Sequence, residues 1–114
     1  MLDAVLESGT ENNETLDLGA PYANLGTLLY ELGEWDAART RLERAIAVTE
    51  VAVGPDVARM GTLRCTYGAI LAALGDHDTA RAELERAVAI SERTLGANAP
   101  QTQLCRENLA AVSS

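Results

Sequence analysis

Cys65, Cys105, His77 and the close pair Asp76 and Asp78 are the side chains of this 114-residue chain best equipped for nucleophilic, metal-binding or proton-transfer chemistry. A cysteine nucleophile needs a neighbouring base or positive charge to form its thiolate. His77 is the only histidine, and it stands beside the aspartates rather than beside either cysteine. A zinc site takes about four ligands from Cys, His and carboxylates. Two cysteines outside any CxxC pair and one histidine do not make such a set, so no metal is expected. Both cysteines fall within stretches of helical pattern, where a free thiol packs as a small hydrophobe. Free cysteines are therefore expected in preference to a disulfide, with Cys65 packing or lining a groove. Asp76 and Asp78 flank a predicted helix start, where the helix dipole favours negative charge, and capping accounts for them without acid–base work. The glycines at 26, 33, 54, 61, 68, 75 and 96 follow a repeat rather than a phosphate-binding loop. The expectation is a protein that is not an enzyme and takes no cofactor.

The elements that carry these residues follow from composition. Nearly half of the chain is apolar, mostly Ala, Leu and Val, with one Trp and no Phe. Small side chains of high helix propensity suit closely packed helices. The net charge is −8 and lies at one end. Asp3, Glu7, Glu11, Glu14, Asp17, Glu31, Glu34 and Asp36 all precede the first basic residue, Arg39, and lysine is absent. An acidic chain without a basic patch is poorly suited to nucleic acid or an anionic membrane. The acidic end is read either as a solvated surface or as one that meets a basic protein partner. No apolar run approaches the ~20 residues of a membrane span, and no signal-peptide pattern is visible. A cytoplasmic location is expected.

An internal repeat organises the chain. The segment from Leu25, LGTLLYELGEWDAARTRLERAIAVTEVAVG, aligns without gaps with the segment from Tyr67, YGAILAALGDHDTARAELERAVAISERTLG, 42 positions on. Matches include Gly26/Gly68, Leu29/Leu71, Gly33/Gly75, Ala38/Ala80, Leu42/Leu84, Ala45/Ala87 and Gly54/Gly96. A third copy starts near the end, where Arg106 and Ala111 repeat Arg64 and Ala69. Each unit reads as two antiparallel helices. Tyr22, Leu25, Leu29 and Leu32 form the apolar stripe of the first helix, and Ala38, Leu42, Ala45 and Thr49 that of the second. Gly33 and Gly54 end these helices. Asp36, Asp76 or Asp78, and Asp56 are expected at helix starts, and Pro100 in a first turn. The first helix of the first unit starts near Ala20 or is kinked at Pro21. Gly26 and Gly68 let paired helices approach closely, so Gly68→Leu should overpack that contact. Arg39 with Glu43, and Arg81 with Glu85, read as ion pairs on a solvated face, and His77 as a turn-packing residue in the place of Trp35.

The first unit carries Tyr22, Leu25, Gly26, Leu29, Gly33, Trp35, Ala38, Leu42 and Ala45, and the second Tyr67, Gly68, Leu71, Gly75, Ala80, Leu84 and Ala87. That pattern resembles the tetratricopeptide repeat. It departs at Arg64 and His77, where the motif prefers large apolar or aromatic residues. The common repeat is about 34 residues, and the longer period here looks like the kinesin-light-chain subtype. Similar repeats occur in bacterial signalling ATPases and transcriptional regulators, so the resemblance implies a bacterial source. It also implies an all-α solenoid of antiparallel helix hairpins in a right-handed superhelix, with about two full repeats plus flanking helices. The division is 1–15, an N-terminal helix remnant and polar loop; 16–54, unit 1; 55–96, unit 2; and 97–114, the first helix of a third unit or a capping helix.

By the same resemblance the chain is a non-catalytic module that binds a protein or peptide on the concave face of its first helices. The implied groove residues are Asn24, Thr27, Tyr30 and Glu31 from the first unit, Cys65, Thr66, Ala69 and Ala73 from the second, and Asn108 and Ala111 from the third. Asn24 and Asn108 either hold a peptide backbone through their amides or bond neighbouring helix backbone. Ala23 and Thr27 replace the Lys and Asn of carboxylate-clamping relatives, which argues against a ligand with an acidic C-terminal tail. Two other functions stay open: a sensory or regulatory segment of a larger regulator, and an assembly element that self-associates through its open repeat ends.

Overall fold

The computed structural model describes residues 19–113, which form five α-helices and no strand among the described residues. The expected remnant helix and polar loop of 1–15 lie outside the described residues. Helix α1 runs Gly19–Glu31, α2 Trp35–Val53, α3 Ala58–Ala73, α4 His77–Leu95 and α5 Pro100–Ser113. Pro21 falls in the first turn of α1, where a missing N–H breaks no intrahelical bond.

Two turns of identical design fold α1 onto α2 and α3 onto α4. In the first, the Gly33 N–H donates to the Tyr30 carbonyl and the Glu34 N–H to the Leu29 carbonyl. In the second, Gly75 donates to Ala72 and Asp76 to Leu71. Both pairs of bonds satisfy carbonyls left open at a helix end, and both require a left-handed residue at the glycine. Its φ is 83° at Gly33 and 88° at Gly75. Because the turn starts at Leu32, that residue drops out of the apolar stripe expected of it and is 66% exposed.

The second helices bury a narrow stripe: Ala38, Leu42, Ala45, Ile46 and Thr49 on α2, and Ala80, Leu84, Ala87, Ile90 and Ser91 on α4. Helix α3 is buried on several sides because α1, α2, α4 and α5 all pack against it. Its glycines set how closely. A Cβ on Gly68 would stand 2.5 Å from Leu84 Cγ, and one on Gly26 would run into the Leu42 side chain. The two close approaches thus use the same residue pair in each unit.

Helix starts depart from expectation. Glu34, not Asp36, is the N-cap of α2, and its side chain makes no capping bond. Val57, not Asp56, is the N-cap of α3, and Asp56 pairs with Arg93 of α4 at 3.4 Å. Asp76 does cap α4, accepting from the Thr79 N–H at 3.4 Å. On the solvated face, Arg39 and Arg81 pair with Asp36 and Asp78, one turn back, at 3.2 and 3.6 Å. Glu43 instead accepts the Tyr67 hydroxyl at 2.8 Å. His77 and Trp35, expected as turn-packing residues, are both exposed.

Candidate functional site

Helices α1, α3 and α5 open the successive units, and α3 touches both of the others. Two hollows lie on the face they form. One, of about 300 Å³, is lined by Tyr30, Ala69, Ala72, Ala73, Leu84, Asn108, Ala111 and Val112. The other, of about 270 Å³, is lined by Thr27, Tyr30, Glu31, Cys65, Thr66, Ala69, Leu104 and Asn108. Tyr30, Ala69 and Asn108 line both, so the hollows adjoin and form one groove across three helices.

The groove exists because side chains are small where the helices meet. Ala69, Ala72 and Ala73 recur at helical spacing on α3 and face Ala111 of α5 across the first hollow. Leu84 of α4, fully buried, forms part of its lining. The polar groups come from Thr27 and Tyr30 of α1, Thr66 of α3 and Asn108 of α5. Glu31 is the one charged residue among those lining the two hollows.

Of the residues the resemblance implies for the groove, Thr27, Tyr30, Glu31, Cys65, Thr66, Ala69, Ala73, Asn108 and Ala111 line these hollows, while Asn24 is exposed on α1 and lines neither. Asn108 is half-buried, and its Nδ2 donates to the Cys65 sulfur at 3.6 Å rather than to helix backbone. Its side-chain carbonyl is a further acceptor. Ala72, Leu84, Leu104 and Val112 lie outside the implied set. The signal for two of them was present: Leu104 is one turn from Asn108, and Ala72 one turn from Ala69. Leu84 comes from a second helix, and no spacing within α3 or α5 points to it.

Arg64, a departure from the motif, is 6% exposed and reaches across to α4, where its Nη1 lies 2.6 Å from Glu83 Oε1. An internal ion pair thus fills the slot that the buried Tyr22 ring fills in the first unit. Cys65 and Cys105 are both free and buried. Among the described residues no group of three or more His, Cys, Asp or Glu side chains could hold a metal ion, and no helix is long and apolar enough to cross a membrane.

A family model for the tetratricopeptide repeat matches residues 17–90 and again residues 59–113. The two matches start one 42-residue period apart, the period at which the helices themselves recur. The chain belongs to the tetratricopeptide repeat family. Repeats of this family generally mediate protein–protein interactions and are generally non-catalytic. A search of curated proteins finds no significant match.

Proposed function

We propose that this chain is a protein-interaction module whose α1–α3–α5 face holds an extended segment of a partner protein. The observation that carries this reading is the pair of adjoining hollows, joined at Tyr30, Ala69 and Asn108 and lined from three successive units. An extended segment laid across them would find hydroxyl and amide groups for its backbone, and alanine-lined space for side chains of modest size. Glu31 in the lining of the second hollow, in a chain of net charge −8, supports a partner with a basic residue there. The unit division 16–54, 55–96 and 97–114 assigns one groove helix to each unit. The 42-residue period supports the long, kinesin-light-chain-like form of the repeat, and with it a cytoplasmic bacterial signalling or regulatory protein as the setting.

The test is a selection of displayed random peptides on the full chain, followed by affinity measurements on the peptides recovered. Ala69→Arg puts a long charged side chain into both hollows and should weaken binding at least about tenfold, with the melting temperature little changed. Asn108→Ala should weaken it roughly fivefold, the worth of about one hydrogen bond. Asn24→Ala should leave it unchanged. Selected peptides that bind Ala69→Arg as tightly as the parent chain would overturn the reading.

A further inference from the structure

The repeat requires neither thiol. Ala23 and Glu107 occupy the repeat position of Cys65, and Pro21 and Leu63 that of Cys105. Yet α3 and α5 bring the two cysteines into one buried cluster with Leu84 and Ala87. Asn108, one turn beyond Cys105 on α5, donates to the Cys65 sulfur at 3.6 Å, so Cys65 packs against the part of α5 that carries Cys105. Cys65 is 4% exposed and also lines the second hollow, whereas Cys105 lies fully buried. The pair is therefore one side chain away from a solvent-open groove wide enough for a molecule the size of a peroxide.

We propose that Cys65 and Cys105 form a two-thiol oxidation site that closes into a disulfide between α3 and α5 on reaction with a hydroperoxide. In the first step a cysteine thiolate takes the terminal oxygen of hydrogen peroxide. An S–O bond forms, the O–O bond breaks, and the departing hydroxide takes up a proton to leave as water. In the second, the other sulfur gives up its proton and attacks the sulfenic sulfur. An S–S bond forms, the S–O bond breaks, and a second water leaves. Two thiols lose two electrons and two protons, and one peroxide becomes two waters. Cys65, on the groove side, is the sulfur the peroxide meets first, and Cys105, buried behind it, closes the bond. The Asn108 amide, bonded to Cys65 at 3.6 Å, holds that side chain at the boundary between cluster and groove. The resulting bond would tie together two of the three helices that line the groove.

The experiment treats the reduced full chain with hydrogen peroxide at neutral pH under native conditions, and reads intact mass, free thiols and a peptide map. The expected product is a monomer lighter by about 2 Da, with both thiols gone. Its map shows a 65–105 crosslink that dithiothreitol reverses, and its melting temperature is higher by roughly 5 °C or more. Cys65→Ser and Cys105→Ser should each abolish the 2 Da loss. Both thiols intact in the native chain under conditions that oxidise the urea-unfolded chain would overturn the proposal. So would oxidation that yields only crosslinked dimers, or sulfinic acid without a crosslink.

Discussion

The two hairpins share a backbone plan and differ in what they place between their helices. At one repeat position α1 has Tyr22, buried, with the Arg44 guanidinium 5.4 Å from its ring centre. At the same position α3 has Arg64, paired with Glu83, and Glu83 stands where the first unit has Arg41. The first unit fills the slot with an aromatic under a cation, the second with an ion pair screened from water. The glycine–leucine contacts, Gly26 with Leu42 and Gly68 with Leu84, are the same in both. The repeat thus specifies how closely the helices approach and leaves the chemistry of the gap open, provided that the gap is filled and any buried charge is paired.

The largest effect should come from breaking the second unit's solution. Arg64→Ala leaves Glu83 with no counter-charge at a largely buried site and should cost about 3–5 kcal/mol in urea unfolding. Replacing both partners, Arg64→Leu with Glu83→Leu, should restore most of that stability, since an apolar pair satisfies the same gap. A double variant as unstable as Arg64→Ala would mean that the slot demands charge. Next in size is the shared frame. Gly68→Ala forces the Leu84 side chain to shift and should cost about 1–3 kcal/mol, and Gly26→Ala should cost a similar amount through Leu42. A difference between the two well above 1 kcal/mol would show that the hairpins are not equivalent at their closest approach. Smaller still is the turn. Asp76 caps α4 while the longer Glu34 makes no such bond. Asp76→Ala should cost about 1 kcal/mol, and Glu34→Asp should gain up to about as much, both read from melting curves.

The contact between the units carries the smallest effect. Burial, and then the hydrogen bond to Glu43, push the Tyr67 phenol up to about 12 from an ordinary value near 10. The unfolded chain loses this proton first, so the contribution to stability is present below about pH 10 and lost as the pH rises toward 12. An alkaline titration followed at the phenolate absorbance should show a component near pH 12 that Tyr67→Phe removes. Glu43→Gln should shift that component downward only in part, because burial is the larger cause.

Much of the fold was legible because its determinants are local. The stripe Ala38, Leu42, Ala45, Thr49 has helical spacing, and all four residues are buried. Gly33 and Gly75 end helices because the turn needs a positive φ. What could not be read depended on pairs distant in sequence. Arg64 as a departure from the motif was visible, but its partner Glu83 lies on the next helix. The approach of Cys65 to Cys105 is set by how α5 packs on α3, which no spacing records. Asp36 and Asp56 looked like caps by residue type, yet the hydrogen-bonded turns placed the helix starts at neighbouring residues. For the groove, resemblance pointed to the first helices of each unit, while the part of the lining supplied by Leu84 needed the packing of a fourth helix.

The groove across α1, α3 and α5 is the surface proposed to hold a partner. Amide chemical-shift mapping of the full chain, titrated with a peptide selected by display, tests it most directly. The largest shifts should fall on Tyr30, Ala69 and Asn108 and diminish away from them. Shifts concentrated on exposed positions of α2 and α4, such as Ala47 and Ala89, with those three amides unmoved, would contradict it.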